Sequence, residues 1–93
     1  MTAYIYSKWH SSPQGSPVEF YSELDNERYE VRKVEVFRDG SYGYADKSNA
    51  TKSTKLGVVP VPSLEEIAGD PEFDIKVITP KQFDEKWQEA TSK

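Results

Sequence analysis

The chain has 93 residues, a length that favours a single domain over 1–93. It carries 12 Lys and Arg against 16 Asp and Glu, and this net charge of -4 argues against general nucleic-acid binding and favours a basic partner. No apolar run approaches the roughly 18 residues of a membrane span, and the absence of cysteine excludes disulfides and cysteine-ligated metals. The first residues show no secretory signal, so we expect a cytoplasmic location and no membrane partner.

Alternating side chains predict four strands in the first half of the chain, at 3–9, 18–24, 29–37 and 42–46. Ser, Pro and Gly are concentrated in the segment between the first two strands, which is typical of a loop. Between the third and fourth strands, Asp39-Gly40 predicts a two-residue type I′ hairpin.

The third strand has an irregular apolar pattern. Tyr29 and Val31 occupy odd positions, whereas Val34 and Val36 occupy even ones. Either an extra residue near 32–33 forms a β-bulge that keeps all four side chains on one face, or the strand is central and covered on both faces. The pattern favours neither interpretation.

A long connection opens the second half of the chain. Residues 47–55 contain three lysines and no acid, and a proline-rich stretch extends the connection to residue 62. Because it is longer than most loops, we expect it to be mobile or functional, with 47–55 as a mobile basic loop. A short helix follows, for which Ser63 is the expected N-cap and Gly69 the expected left-handed residue after the last turn.

A fifth strand is predicted at 73–78, and a C-terminal helix follows it. Thr79 and Gln82 have the spacing of a capping box, and Phe83 with Trp87 marks the apolar side of this helix. Successive hairpins favour antiparallel pairing covered on one face. The predicted fold class is therefore α+β, an antiparallel sheet of about five strands with a short helix and a C-terminal helix packed on one face.

Recognisable catalytic and ligand-binding motifs are missing from the sequence. His10 is the single histidine, and although Ser11 and Ser12 adjoin it, no nucleophile elbow is present. A solvated loop histidine is therefore favoured over a small hydrolase. The glycines form no phosphate-binding pattern, and no calcium loop occurs. We expect no enzyme activity, no catalytic or metal site and no cofactor.

A single-stranded RNA-binding module is the alternative binding function. Lysines at positions 47, 52 and 55 follow the hairpin tyrosines Tyr42 and Tyr44, and lysine beside exposed aromatic rings is suited to stacking on bases. The patch is small and acids flank it in a chain of negative charge, so a solvated loop is favoured over nucleic-acid binding.

The second strand offers the best candidate for a binding surface. Glu19, Tyr21 and Glu23 point the same way, and Asp25 continues the row. Glu35 and Glu30 extend it if the bulge in the third strand allows. Such a row concentrates negative potential around an aromatic anchor, while the alternative is a solvated face with cross-strand pairs to basic residues. The predicted partner-binding residues are Glu19, Tyr21, Glu23, Asp25, Glu35, Tyr42 and Tyr44.

Several stretches resemble a small uncharacterised bacterial domain family: Tyr21-Ser22-Glu23-Leu24-Asp25, Arg32-Lys33-Val34-Glu35-Val36-Phe37, Asp39-Gly40, Leu56-Gly57, Pro60-x-Pro62, Leu64-Glu65-Glu66-Ile67 and Phe83-x-x-x-Trp87. The resemblance runs from about Tyr6 to Trp87. Stand-alone domains of this kind are often linked to polymorphic-toxin and contact-dependent-inhibition loci as immunity proteins. The resemblance implies a bacterial cytoplasmic protein that neutralises a cognate basic toxin domain, for example a nuclease, by direct binding. It assigns no catalytic residue.

Overall fold

Five antiparallel strands form one sheet in the computed structural model, which describes residues 2–51 and 54–92. The strands are β1 (Ala3–Trp9), β2 (Pro17–Leu24), β3 (Glu30–Phe37), β4 (Tyr42–Ala45) and β5 (Phe73–Val77), in the spatial order β4-β3-β2-β1-β5. The helices are α1 (Leu64–Ala68) and α2 (Pro80–Thr91). This arrangement confirms the predicted α+β class. Neither helix in the described residues has the length and apolar character needed to cross a membrane.

The start of α2 has the predicted capping box. The hydroxyl of Thr79 accepts the amide of Gln82 at 3.0 Å, and the Gln82 side-chain oxygen accepts the amide of Thr79 at 2.8 Å. Two backbone donors of the first turn are thereby satisfied. Ile78 and Phe83, which flank this cap, are both buried. The cap and the two apolar side chains fix the angle at which α2 leaves β5 and returns over the sheet.

The short helix α1 follows the prediction at its start but not at its end. Ser63 accepts the amide of Glu66 at 3.3 Å, as expected for the N-cap. Gly69 has a φ of -73°, so the expected left-handed conformation is wrong. Its amide donates to the carbonyl of Glu65, and the helical hydrogen-bond pattern therefore continues through the glycine without a left-handed residue.

The turn between β3 and β4 differs from the predicted type I′ hairpin. The amide of Phe37 donates to the carbonyl of Ser41 at 2.9 Å, which leaves a three-residue loop between them. Gly40 has a φ of 88°, whereas Asp39 is not left-handed. A type I′ turn needs a positive φ at both central residues, so the expectation is wrong and the geometry is that of a three-residue loop ending in a left-handed glycine.

Both interpretations of β3 contain part of the answer. Glu23 pairs with Arg32 but Leu24 pairs with Glu30, so Val31 is the extra residue of a bulge. The bulge lies one residue earlier than predicted. Beyond it the strand is covered on both faces, because Val34 and its neighbour Glu35 are both buried.

Each face of the sheet is covered by a different part of the chain. The face beneath α2, which we call the helix face, carries Tyr4, Tyr6, Lys8, Glu19, Tyr21, Glu23, Arg32, Val34, Val36, Tyr42 and Tyr44. The opposite face carries Ile5, Ser7, Phe20, Ser22, Lys33 and Glu35. α1 and the segment 54–62 lie against this opposite face, where Val61 and Ile67 approach Ile5 and Phe20. Both faces of the sheet are therefore at least partly covered by other parts of the chain. The carboxylate-rich face is the one that α2 covers.

Candidate functional site

Glu23, one of the carboxylates of the predicted acidic row, lies beneath α2. Its carboxylate accepts the hydroxyl of Tyr4 at 3.0 Å and the Nε of Arg32, whose Nη2 reaches Asp84 at 3.0 Å. The guanidinium lies 4.8 Å from the centre of the Phe83 ring. Only 14% of the Glu23 side chain is exposed, so this carboxylate stabilises the packing of α2 and does not face a partner.

Two further members of the predicted set lie away from the row. Glu35 stands opposite Phe20 on the other face of the sheet, where its buried carboxylate accepts the Thr54 hydroxyl at 2.7 Å. Asp25 lies in the β2–β3 turn and accepts the amides of Glu27 and Tyr29 at 2.9 and 3.0 Å. Glu30 pairs with Leu24 and also belongs to the opposite face. The expected extension of the row through Glu35 and Glu30 is therefore wrong.

Besides Glu23, the register of the sheet brings four of the predicted residues to the helix face. Glu19 lies in line with Val36 and Tyr42, and Tyr21 lies in line with Val34 and Tyr44. These residues differ in how closely α2 contacts them. The ring of Tyr44 meets Trp87 edge-on at 5.5 Å, while the hydroxyl of Tyr42 donates to Glu89 of α2 at 2.9 Å.

The half of the helix face that α2 leaves uncovered forms the candidate site, centred on Tyr6, Glu19 and Tyr21. We call this surface the open half of the helix face. All three side chains are half-buried. The hydroxyl of Tyr6 donates to the carboxylate of Glu19, and the rings of Tyr6 and Tyr21 lie 5.0 Å apart at an angle of 59°. These contacts hold the cluster in one arrangement before any partner arrives.

Two hollows flank this cluster. One, of about 350 Å³, lies between the sheet and α2, with Tyr6 and Tyr21 in its floor and Glu85 and Lys86 at its side. The other, of about 480 Å³, lies at the far end of the sheet and is lined by Lys8, Trp9, His10, Val18, Glu19, Val36, Phe37, Arg38 and Gly40. Glu19 borders one hollow and its hydrogen-bonded partner Tyr6 borders the other. The hydrogen-bonded pair of Tyr6 and Glu19 therefore lies where the two hollows adjoin.

Lysines lie over the tyrosine rings of the cluster. The Nζ of Lys76 is 5.3 Å from the centre of the Tyr6 ring, and the Nζ of Lys86 is 5.3 and 5.5 Å from the centres of Tyr21 and Tyr42. Such cation–π contacts fix the lysine side chains against the aromatic surface. With Lys8, these residues add positive charges to the acidic, aromatic surface expected from the sequence, and the open half of the helix face has a mixed charge.

The ionisation of the cluster follows from burial and from these contacts. Burial, followed by the hydrogen bond to Glu19, raises the pKa of Tyr6 well above its ordinary value. Burial also raises the pKa of Tyr21, although the charge of Lys86 opposes this shift. Burial disfavours the charged form of Lys86, but the attraction of Tyr21 and the bond to Glu89 outweigh it, so the pKa of Lys86 is raised. At neutral pH, Tyr6 and Tyr21 are therefore neutral and Lys86 is charged.

Two residues of this site, Tyr6 and Lys86, were not singled out from the sequence. Tyr6 belongs to the alternating set of β1, and a signal existed, because an antiparallel β1–β2 hairpin places that set beside the second-strand row. Lys86 gave a weaker signal. It lies one turn after Phe83 on α2, but its position over Tyr21 depends on which face of the sheet the helix covers.

The residues of the hydrolase alternative do not assemble as a dyad in the structure. The Nε2 of His10 is 2.9 Å from a carboxylate oxygen of Asp74, and both side chains are substantially exposed. The hydroxyl of Ser12 donates to the carbonyl of Pro17 at 2.6 Å and is therefore occupied by the backbone. This geometry provides no support for a Ser12–His10 pair.

The structure shows the surroundings of the tyrosines and lysines that the RNA-binding alternative would use. Stacking on a base would require Tyr44 to leave Trp87, and the ammonium group of Lys86 already lies 5.5 Å from the centre of the Tyr42 ring. Lys47 and Lys55 are exposed, while Lys52 lies outside the described residues. Single-stranded RNA binding therefore stays a prediction, and no specific feature of the described residues favours it.

The fold and the site define a small α+β domain with an aromatic surface of mixed charge beside its C-terminal helix. The family model described as domain of unknown function (DUF6881) matches residues 3–92, so the chain belongs to this family. No curated protein and no solved structure matches the chain. The family description names no activity, and the site itself is therefore the basis for a function.

Proposed function

We propose that the chain is a protein-binding module of the immunity type, which neutralises a cognate toxin by direct contact through the open half of the helix face. The observation that carries this proposal is the cluster of Tyr6, Glu19 and Tyr21, which is held rigid by its own contacts and lies half-exposed between two hollows. Preorganised aromatic side chains contribute much of the energy at protein interfaces, because they bury a large area and lose little conformational entropy.

The shape of the surface supports a protein partner over a small molecule. Small-molecule sites enclose most of their ligand within one concave pocket. Here two hollows lie side by side on an open surface, with the hydrogen-bonded pair of Tyr6 and Glu19 where they adjoin. A protein can place one side chain into each hollow and cover this pair with the surface between those side chains.

The charges of the site indicate the chemistry of the partner surface. The carboxylates of Glu19 and Glu85 suit arginine or lysine, and the ammonium groups of Lys76 and Lys86 suit carboxylates. The net charge of -4 attracts a basic partner from a distance, whereas the mixed local charges select the orientation in which it docks. A basic toxin domain with a few acids at its binding surface meets both requirements.

Neutralisation in living cells tests this function. The protein encoded by the adjacent reading frame is expressed alone, with this chain, and with variants of this chain. We expect growth arrest without the chain, rescue by the parent and by Glu65→Lys, and loss of rescue by Glu19→Lys combined with Tyr21→Ala. Glu65→Lys is the matched charge change, because Glu65 lies on α1 at the opposite face. A neighbour that arrests growth but is not neutralised by the parent chain would contradict the proposal, as would a neighbour without effect on growth.

A further inference from the structure

The strand β5 lies at the end of the sheet and pairs with β1 along one of its two edges. The amide of Ile78 donates to the carbonyl of Tyr4 at 2.9 Å, and the amide of His10 donates to the carbonyl of Glu72 at 2.8 Å. In an antiparallel ladder these bonds alternate, so even-numbered residues of this stretch face β1. The backbone groups of Ile75 and Val77 therefore point outward, where no strand of the described residues pairs with them.

The other end of the sheet is treated differently by the chain. Beyond β4, Ala50 forms a bridge with Ala45, and the amide of Thr51 donates to the carbonyl of Tyr44 at 2.8 Å. The segment after β4 thus covers that edge. Proteins usually protect an edge strand in this way or with charges, since an unprotected edge pairs with other strands. The edge of β5 is left uncovered in the described part of the chain.

We propose that β5 pairs antiparallel with β5 of a second copy of this chain, which joins two sheets into one. Only registers that place odd-numbered residues opposite each other bring the outward backbone groups together. Of the three central registers, one places Asp74 opposite Asp74 of the second copy, and another places Lys76 opposite Lys76. The register centred on Ile75 instead places Asp74 opposite Lys76 twice, and of the three it is the one without a like-charge pair.

The apolar side chains of β5 fit the same register. Val77 is 64% exposed, which is high for a valine in a strand. In the register centred on Ile75, Val77 stands opposite Phe73 of the second copy, and Ile75 stands opposite itself. Phe73 donates its amide to Asp70 within its own chain at 3.1 Å, so its carbonyl is the group that accepts Val77 of the partner copy. The exposed valine thereby gains an aromatic neighbour.

The two charged residues are accessible for this pairing. The side chain of Asp74 is 72% exposed beside His10, and Lys76 is exposed although its Nζ lies near the Tyr6 ring. Both lie on the same side of the strand, because they are two positions apart. Two identical strands can therefore form two Asp–Lys pairs related by the two-fold axis at Ile75.

Sedimentation velocity of the full chain over a concentration series tests the pairing. We expect the parent to pass from monomer to dimer with rising concentration. Asp74→Lys and Lys76→Asp each replace two attractive pairs by two like-charge pairs, and each should weaken the dimer on the order of tenfold or more. The double variant and an equimolar mixture of the two single variants restore opposite charges, so both should dimerise like the parent. Glu27→Lys, in the β2–β3 turn, is the matched control and should leave the dimer unchanged.

Each alternative outcome overturns the proposal. A parent that stays monomeric at every concentration shows that β5 does not pair with a second copy, whatever else its edge binds. A dimer that persists in both single variants uses another surface. Single variants that fail to associate even when mixed show that the register is wrong, provided that their thermal melts match the parent. The inference shares Lys76 with the proposed site. Its test measures self-association without any other protein, so either proposal can fail while the other holds.

Discussion

Arg32 donates from Nε to the carboxylate of Glu23, and this ion pair lies beneath α2 with most of both side chains covered. The guanidinium also lies over the rings of Phe83 and Trp87 at 4.8 and 5.2 Å. A pair removed from water in this way needs its full set of partners, because an unpaired charge in the interior is costly. The pair thus links β2, β3 and α2 at the centre of the helix face.

Glu23→Gln should destabilise the fold. The substitution leaves Arg32 without its inner carboxylate and costs about 1–3 kcal/mol of unfolding free energy. Asp84→Asn is the matched control at the outer side of the same guanidinium, where the Asp84 side chain is 55% exposed. It should cost about 1 kcal/mol or less. Urea denaturation of both variants measures the difference, and equal losses would mean that the inner pair does not hold α2 in place.

The tyrosine cluster makes stability sensitive to alkaline pH. The pKa of Tyr6 is raised above its ordinary value of 10.0 by burial and by the hydrogen bond to Glu19. The unfolded chain therefore loses this proton first, so the stabilising contribution is complete below about pH 10 and declines as the pH rises through the pKa of the folded state. Denaturant unfolding at about pH 8 and about pH 11 should show this decline in the parent.

Tyr6→Phe keeps the ring and removes the titrating hydroxyl, so the decline in stability between the two pH values should become smaller. Tyr29→Phe, which changes an exposed tyrosine outside the site, is the control and should decline like the parent. If Tyr6→Phe declines as steeply as the parent, the hydroxyl of Tyr6 is not protected by Glu19 in solution.

The segment after β4 should be anchored at two threonines. Thr54 is fully buried, and its hydroxyl donates to Glu35 at 2.7 Å. Thr54→Val keeps the shape but removes this donor, and it should cost about 1–3 kcal/mol, whereas Thr54→Ser keeps the bond and should cost less. In the parent we expect slower amide exchange at Thr51 and Thr54 than at exposed Lys47. Uniformly fast exchange across these three amides would support the mobile loop predicted from the sequence.

Local patterns were sufficient to predict much of the secondary structure. The alternation in β1 and the capping box of Thr79 and Gln82 depend on neighbouring residues only, and both predictions agree with the structure. The turn at Asp39-Gly40 was wrong because that dipeptide occurs in two loop types that differ in length by one residue. The choice between them depends on how β3 and β4 pair.

The candidate site was predicted only in part, because its accessibility depends on tertiary packing. A row of carboxylates beside tyrosine is typical of a solvent-facing strand, and nothing in β2 itself indicates that α2 returns to cover Glu23. Arg32 makes this possible by neutralising the carboxylate beneath the helix. Glu19 and Tyr21 remain half-exposed because α2 covers only part of the face. The position of Glu35 depended in turn on the bulge at Val31, which shifts the register by one residue.

Binding kinetics against the protein encoded by the adjacent reading frame test the central claim most directly. The parent, Glu19→Lys, Tyr21→Ala and the control Glu65→Lys are compared at two salt concentrations, with thermal melts to verify folding. Glu19→Lys should lower the association rate, most clearly at low salt, because it weakens electrostatic attraction. Tyr21→Ala should speed dissociation about tenfold or more, because it removes a preorganised aromatic contact. Glu65→Lys should bind like the parent. If Glu19→Lys and Tyr21→Ala are folded and also bind like the parent, the open half of the helix face is not the binding surface.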